Sequence, residues 1–246
     1  MRRLAIFLSL VLLCCGCASV QPQVEGGSAV EVARVPDKVF RAYLIEQGYA
    51  EPYRGPMRRL GFVVPRREVL RRTAMGRALQ LLNVHNMGIG SLDGVEMFDS
   101  LVVLICSENP LRSVDLSHCP RLKQFTAIET PLEQLDLSLC PELKLIELSY
   151  TQLRRLDVSR NPLLEEIFCI FSPGIDSIDI SHNPRLRRLY IRETRIREVD
   201  ISGCPEFEGL YALDTPLATL YATEEQLDRV EAVVEDSVKV HILPEK

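Results

Sequence analysis

The sequence predicts an α/β solenoid of about six 21–22-residue coils, with a helical cap on its N-terminal side and a helix and strand closing its C-terminal side. Three observations carry this. One phrase, apolar-x-x-apolar-Asp-apolar-Ser-x-x-Pro-x-apolar, begins at Leu111, Leu132, Leu153, Ile175 and Ile196. Apolar residues alternate within each unit, as in a strand with one buried face. Helix signals flank the array on both sides.

Four of the five units are 21 residues long; the third has 22, with its extra residue around Ser172-Pro173-Gly174. A degenerate unit, residues 89–110, precedes them. Each unit holds a second apolar phrase, clearest at Leu143, Ile146, Leu148, Thr151, Leu153 and at Leu186, Leu189, Ile191, Thr194, Ile196. A period of 20–29 with this leucine spacing marks a leucine-rich repeat array. One coil cannot bury its own leucines, and stacking the coils buries them in a shared core. At about 4.8 Å per strand the array is roughly 30 Å long. Asn109 holds the usual ladder asparagine, and Thr130, Thr151, Thr194 and Thr215 replace it elsewhere. A threonine hydroxyl can still bond a neighbouring turn.

Ahead of the array, Met1 to Cys17 has two arginines and then an apolar run from Leu4 to Leu13. The run is too short to span a bilayer. A basic start and a short apolar run make an export signal. Gly16-Cys17-Ala18-Ser19 resembles the bacterial lipobox, which implies lipidation at Cys17. Cys15 as acceptor and an ordinary cleaved signal are the alternatives. Residues 18–35, rich in Gln, Gly and Ser, read as a flexible tether. Residues 36–88 form the N-terminal cap, with Phe40, Tyr43 and Leu44 on one helical face and a second helix expected over Arg67 to Ala78. The repeats fill residues 89–216. Residues 217–246 form the C-terminal cap, opened by a capping box at Thr223 to Gln226. Leu227, Val230 and Val234 are expected on one face of its helix, with a closing strand over 238–243.

The phrases VPDKVFRAYL (35–44) and LNVHNMGIGSLDGVEMFDSLVVLICSENPL (82–111), followed by the LDLS units, resemble bacterial surface leucine-rich-repeat proteins of the internalin-like kind. The resemblance spans about residues 35–217. It implies an exported protein whose strand face binds a partner. The cap's acidic calcium loop found in that family does not carry over, because EQGYAEPYRGPMRR (46–59) lacks the acid cluster.

Composition narrows the function classes. The chain has 246 residues, 46% hydrophobic and 26% charged, which suits one large domain or one repeat array. A net charge of −5 gives no nucleic-acid signature. Arg54, Arg58, Arg59, Arg66, Arg67, Arg71, Arg72 and Arg77 form a local basic stretch, read as a solvated cap face. No cofactor or metal is expected. Cys119, Cys140 and Cys204 share one repeat position with Asn161 and Asn183; buried thiols and a Cys119–Cys140 disulfide are both open. The column Asp115, Asp136, Asp157, Asp179, Asp200 reads as turn-bonding carboxylates rather than a metal ladder. The four histidines do not converge, and no GxSxG, HExxH or phosphate loop is present.

The outward residues of the strand phrase are the informative ones. One column reads Ile105, Thr126, Glu147, Phe168, Tyr190, Tyr211, with Tyr150 and Phe171 beside it. Glu165, Glu166, Arg187, Arg188 and Arg192 share the face. Aromatic rings flanked by charge suit a protein-binding patch. The expected contact set is Tyr150, Phe168, Phe171, Arg188, Tyr190, Arg192 and Tyr211. The expectation is thus a non-catalytic, lipid-anchored binding protein at the outer membrane or cell surface, its partner a protein. A structural spacer lipoprotein without a specific ligand, and an enzyme without a recognisable motif, are the rivals.

Overall fold

The computed structural model describes residues 31–55 and 65–244. Cys17, Cys15 and the whole export signal lie outside the described residues, as do Arg58 and Arg59. The chain is a parallel β-solenoid built on 21- to 22-residue coils.

The N-terminal cap mixes a small antiparallel sheet with helix. Strand β1 (Val32–Arg34) pairs antiparallel with β3 (Val69–Arg72), which also pairs antiparallel with β2 (Ala50–Pro52). Between β1 and β2 lies helix α1 (Lys38–Glu46). Its N-cap is Asp37, whose Oδ1 accepts from the Val39 and Phe40 amides at 2.9 Å. The other oxygen of Asp37 accepts from the Gly90 amide at 2.8 Å, which ties the cap helix to the first coil. Phe40 and Leu44 are fully buried.

Two expectations fail here. The tether ends before residue 32, because Ala33 lies on paired strand β1 and Val35 follows it, and both are core residues. The second cap helix is mostly absent: Val69 and Leu70 lie on β3, and only Ala74–Arg77 forms a short helix, α2. The β-branched Val69 and the open partners β1 and β2 favour a strand over a four-residue apolar helix face. The basic stretch is not all solvated either. Arg72 is 3% exposed and donates to Met97 C=O at 2.5 Å and Asp99 at 2.6 Å. It ties the cap to the loop that opens the array.

The array itself is an eight-stranded parallel sheet. Its strands are β4 (Leu81–Asn83), β5 (Val103–Ile105), β6 (Gln124–Thr126), β7 (Leu145–Glu147), β8 (Glu166–Phe168), β9 (Arg188–Tyr190), β11 (Gly209–Tyr211) and β13 (Glu231–Val233). Two of these, β4 and β13, extend the array beyond the six coils expected from the five LDLS units and the degenerate unit before them. The middle residues Leu82, Leu104, Phe125, Ile146, Ile167, Leu189 and Leu210 are in register and fully buried. A strand with one buried face must place alternate residues outward, so the flanking residues lie on the open face, where most are partly exposed and Thr126 and Gly209 are covered by their neighbours. The extra residue of the third unit falls in the turn between β8 and β9 and leaves the register intact.

The LDLS phrase behaves differently. It pairs as a sheet only at the C-terminal end, where β10 (Glu198–Asp200), β12 (Thr219–Ala222) and β14 (Lys239–Ile242) form a second parallel sheet. Earlier copies run extended without strand pairing. Each of their aspartates turns the chain: Oδ1 of Asp115, Asp136, Asp157, Asp179 and Asp200 accepts from the amide two residues on, at 2.9–3.1 Å. These bonds with Ser117, Ser138, Ser159 and Ser181 lower the carboxyl pKa of the first four.

Helix α3 (Glu224–Arg229) opens with the capping box of Thr223 and Gln226. Its buried residue is Gln226, not Leu227, which is exposed. The helix ends at Arg229, so Val230 and Val234 pack from outside it. The closing strand β14 belongs to the second sheet, and β13 closes the main one.

Candidate interaction face

Two outward columns run along the main sheet. The first-place column is Leu81, Val103, Gln124, Leu145, Glu166, Arg188, Gly209, Glu231. The third-place column is Asn83, Ile105, Thr126, Glu147, Phe168, Tyr190, Tyr211, Val233. Parallel in-register pairing brings equivalent side chains about one strand spacing apart, close enough for flat rings to stack.

They do stack. Phe168 and Tyr190 lie with centroids 4.2 Å apart and planes 7° from parallel; Tyr190 and Tyr211 lie 4.4 Å apart at 4°. Gly209 makes room for the last ring, since a Cβ there would meet Tyr211 Cε2 at 2.8 Å. The Tyr211 hydroxyl donates to Glu231 at 3.0 Å. Partial burial, and then this bond, push its pKa up to about 12.

A second stack lies on the turn after the strands. Tyr150 and Phe171 are 4.5 Å apart at 15°. Both adopt left-handed backbone, φ 60° and 54°, a place held in other coils by Asn86, Glu108, Glu129, Glu193 and Asp214. Tyr150 is 48% exposed. Arg192 sits over Phe171 at 5.9 Å and pairs with Asp214 at 2.7 Å. Arg188 pairs with Glu166 and reaches Glu208 at 3.4 Å; Arg187 also pairs with Glu208. Lys144 and Glu165 pair at 2.7 Å. The seven residues singled out in the sequence thus lie on one sheet face or on the turn beside it. Their rings and charges are largely engaged with one another, so the face is a pre-ordered surface of ring edges and hydroxyls rather than a set of free side chains.

Inside the array, the shared Cys/Asn position forms a hydrogen-bonded file. Asn161 Nδ2 donates to Leu137 and Cys140 carbonyls, Asn183 to those of Val158 and Asn161, and Cys204 Sγ to those of Ile180 and Asn183. Gln226 completes it, donating to Ile201 and Cys204 carbonyls at 2.8 and 2.9 Å. The sequence alignment missed Gln226 because α3 interrupts the phrase; its offset of 22 residues from Cys204 was the available signal. Cys106, Cys119, Cys140, Cys169 and Cys204 are buried, and Cys119 and Cys140 are not bridged. Burial pushes the first four to about 11 or 12.

Other clusters offer less. His182 Nδ1 meets Ser181 Oγ at 3.0 Å on open surface, but the nearby Asp179 bonds the serine amide and not the imidazole. Among the described residues no group of three or more His, Cys, Asp or Glu is arranged for a metal ion. No described helix is long and apolar enough to cross a membrane.

Comparison with known proteins agrees on the fold. Residues 152–173 match the Leucine Rich Repeat family. The functional domain of InlJ from Listeria monocytogenes, which includes a cysteine ladder, superposes with TM-score 0.51 at 22% identity over 72% of this chain. The chain spans 43% of that structure's length. Internalin C2 from the same organism gives TM-score 0.61 at 12% identity, over 88% of this chain and 100% of its own. A leucine-rich-repeat protein of Leptospira interrogans gives 0.53 at 16%, over 68% and 51%. No curated protein sequence matches the chain. At these identities the likeness is one of architecture.

Proposed function

We propose that the protein is a non-catalytic protein-binding module, exported and held to a membrane through lipid on Cys17, whose strand face recognises a protein partner. The observation that carries this is the run of stacked rings, Phe168, Tyr190 and Tyr211, partly exposed on the outward face of the sheet. Rings fixed by stacking lose little freedom on binding, and aromatic residues dominate the energetics of protein interfaces. The internalin relatives share the fold and lend the reading by analogy.

A Phe168→Ala, Tyr190→Ala double variant tests it. Cross-linked in its native envelope, the unaltered protein should carry along a partner that the double variant loses, with circular dichroism unchanged. The same stacking also favours a second reading, in which the rings only brace the sheet of a spacer lipoprotein. In that case the variant melts earlier and keeps the same neighbours.

Anchoring and orientation are read together by protease shaving of intact cells, with Cys17→Ser alongside. Release of the variant as soluble protein identifies Cys17 as the anchor, whereas retention favours Cys15 or an uncleaved signal. Clipping of intact cells indicates an outward face; cutting only after the envelope is opened indicates a periplasmic scaffold.

A further inference from the structure

The charged residues at the outward places of the main sheet have partners, with one exception among the described residues. Glu166 pairs with Arg188, which also reaches Glu208, and Glu231 accepts from Tyr211. The exception, Glu147, stands half-buried at the third place of β7, and no described side chain pairs with it. Its register neighbours are Thr126 on one side and Phe168 on the other. The nearest lysine along the chain, Lys144, is held by Glu165. Burial pushes the Glu147 carboxyl pKa up, with no bond or cation to offset it.

The geometry of the ring stack adds a second half. Tyr190 covers one face of Phe168 at 4.2 Å, nearly parallel. The stack runs along the column, so the other face of Phe168 is turned toward the place of Glu147. A cation lodged there meets a ring face and a carboxylate at once, and both attract it. An apolar partner covering the same spot would leave the carboxylate buried and unpaired, which is strongly unfavourable. Beyond Glu147 the columns turn apolar or neutral, with Val103, Ile105, Thr126 and Leu145. Neither column carries a basic residue on that side, and Lys123 and Lys144, which precede β6 and β7, pair with Glu142 and Glu165.

We propose that Glu147 and the face of Phe168 turned away from Tyr190 form a seat for a lysine or arginine side chain of the partner protein. This rests on the strand face being the binding surface. The seat spans the fourth and fifth of the eight strands, at the junction between the apolar half of the face and its aromatic half. It would therefore fix where along the sheet a partner sits, while the rings supply area.

A displayed library of random peptides, selected on the unaltered protein, tests the proposal. Binders are then measured on Glu147→Gln, which keeps shape and removes charge, on Glu147→Lys, and on the Phe168→Ala, Tyr190→Ala double variant. Circular dichroism checks each fold. The expected result is that face-binding peptides share a lysine or arginine and weaken by about tenfold or more on Glu147→Gln. Reselection on Glu147→Lys should lose that cationic preference. Peptides that depend on the rings yet bind Glu147→Gln as before overturn the seat and leave the face standing. If no peptide depends on the rings, the face itself fails, and the seat with it.

Discussion

At the scale of single residues, the turn after each strand demands a left-handed residue and the chain supplies unfavourable ones. Seven non-glycine residues between Asn86 and Asp214 have φ of 51–60°. Only Asn86 and Asp214 are types that tolerate it readily. At Tyr150 and Phe171 the ring stack offsets the strain, and at Glu193 a long contact with Arg192 does so weakly. Glu129 has neither. Glu129→Gly should therefore raise stability by about 1 kcal/mol, read as a higher urea midpoint with unchanged slope. Phe171→Gly should lower it, because the stack is lost with the strain. This turn was invisible in the sequence: Glu and Tyr carry no left-handed signal, and the neighbouring coil's amide bonds impose the conformation.

At the scale of the coil, the asparagine–cysteine file joins neighbouring coils, while the threonine file mostly closes the turn of its own coil. Thr130, Thr151 and Thr194 each donate to the carbonyl three residues back, at 2.8–3.0 Å, and Thr215 donates to Ile191 on the preceding coil. The Asn161 and Asn183 side chains use only their donors, and their Oδ1 atoms have no described partner. A position that asks for a donor alone explains why cysteine, a weak donor of small volume, serves there too. Asn161→Ala removes the inter-coil bond to each of the Leu137 and Cys140 carbonyls, which keep only their backbone bonds, and should cost about 2 kcal/mol in urea unfolding. Asn161→Cys, the residue already present one coil before, should cost less. Spacing made this file legible in the sequence as a shared position; the direction of its bonds was not, since it depends on which carbonyls the adjacent coil presents.

At the scale of the whole molecule, the solenoid is a one-dimensional stack whose stability is passed between neighbours. The five described cysteines lie at intervals along it and report on local opening. Native-state alkylation followed by peptide mapping should label Cys204, near the C-terminal end, faster than Cys140 or Cys169 in the middle coils. Equal rates at all sites would mean that the array opens as one unit. The sequence by itself determined the coil, its period, its buried residues and the face the aromatics occupy. These follow from a repeat of fixed length and the two-residue period of a strand, which leave each side chain one choice of face. Tertiary structure alone decided the rest: the strand in place of the second cap helix, the two extra coils, the burial of Arg72, the pairing of Arg188 and Arg192, and the isolation of Glu147. Each of those depends on which distant residues the stacked coils bring alongside, and spacing within one coil carries no record of its neighbours' side chains.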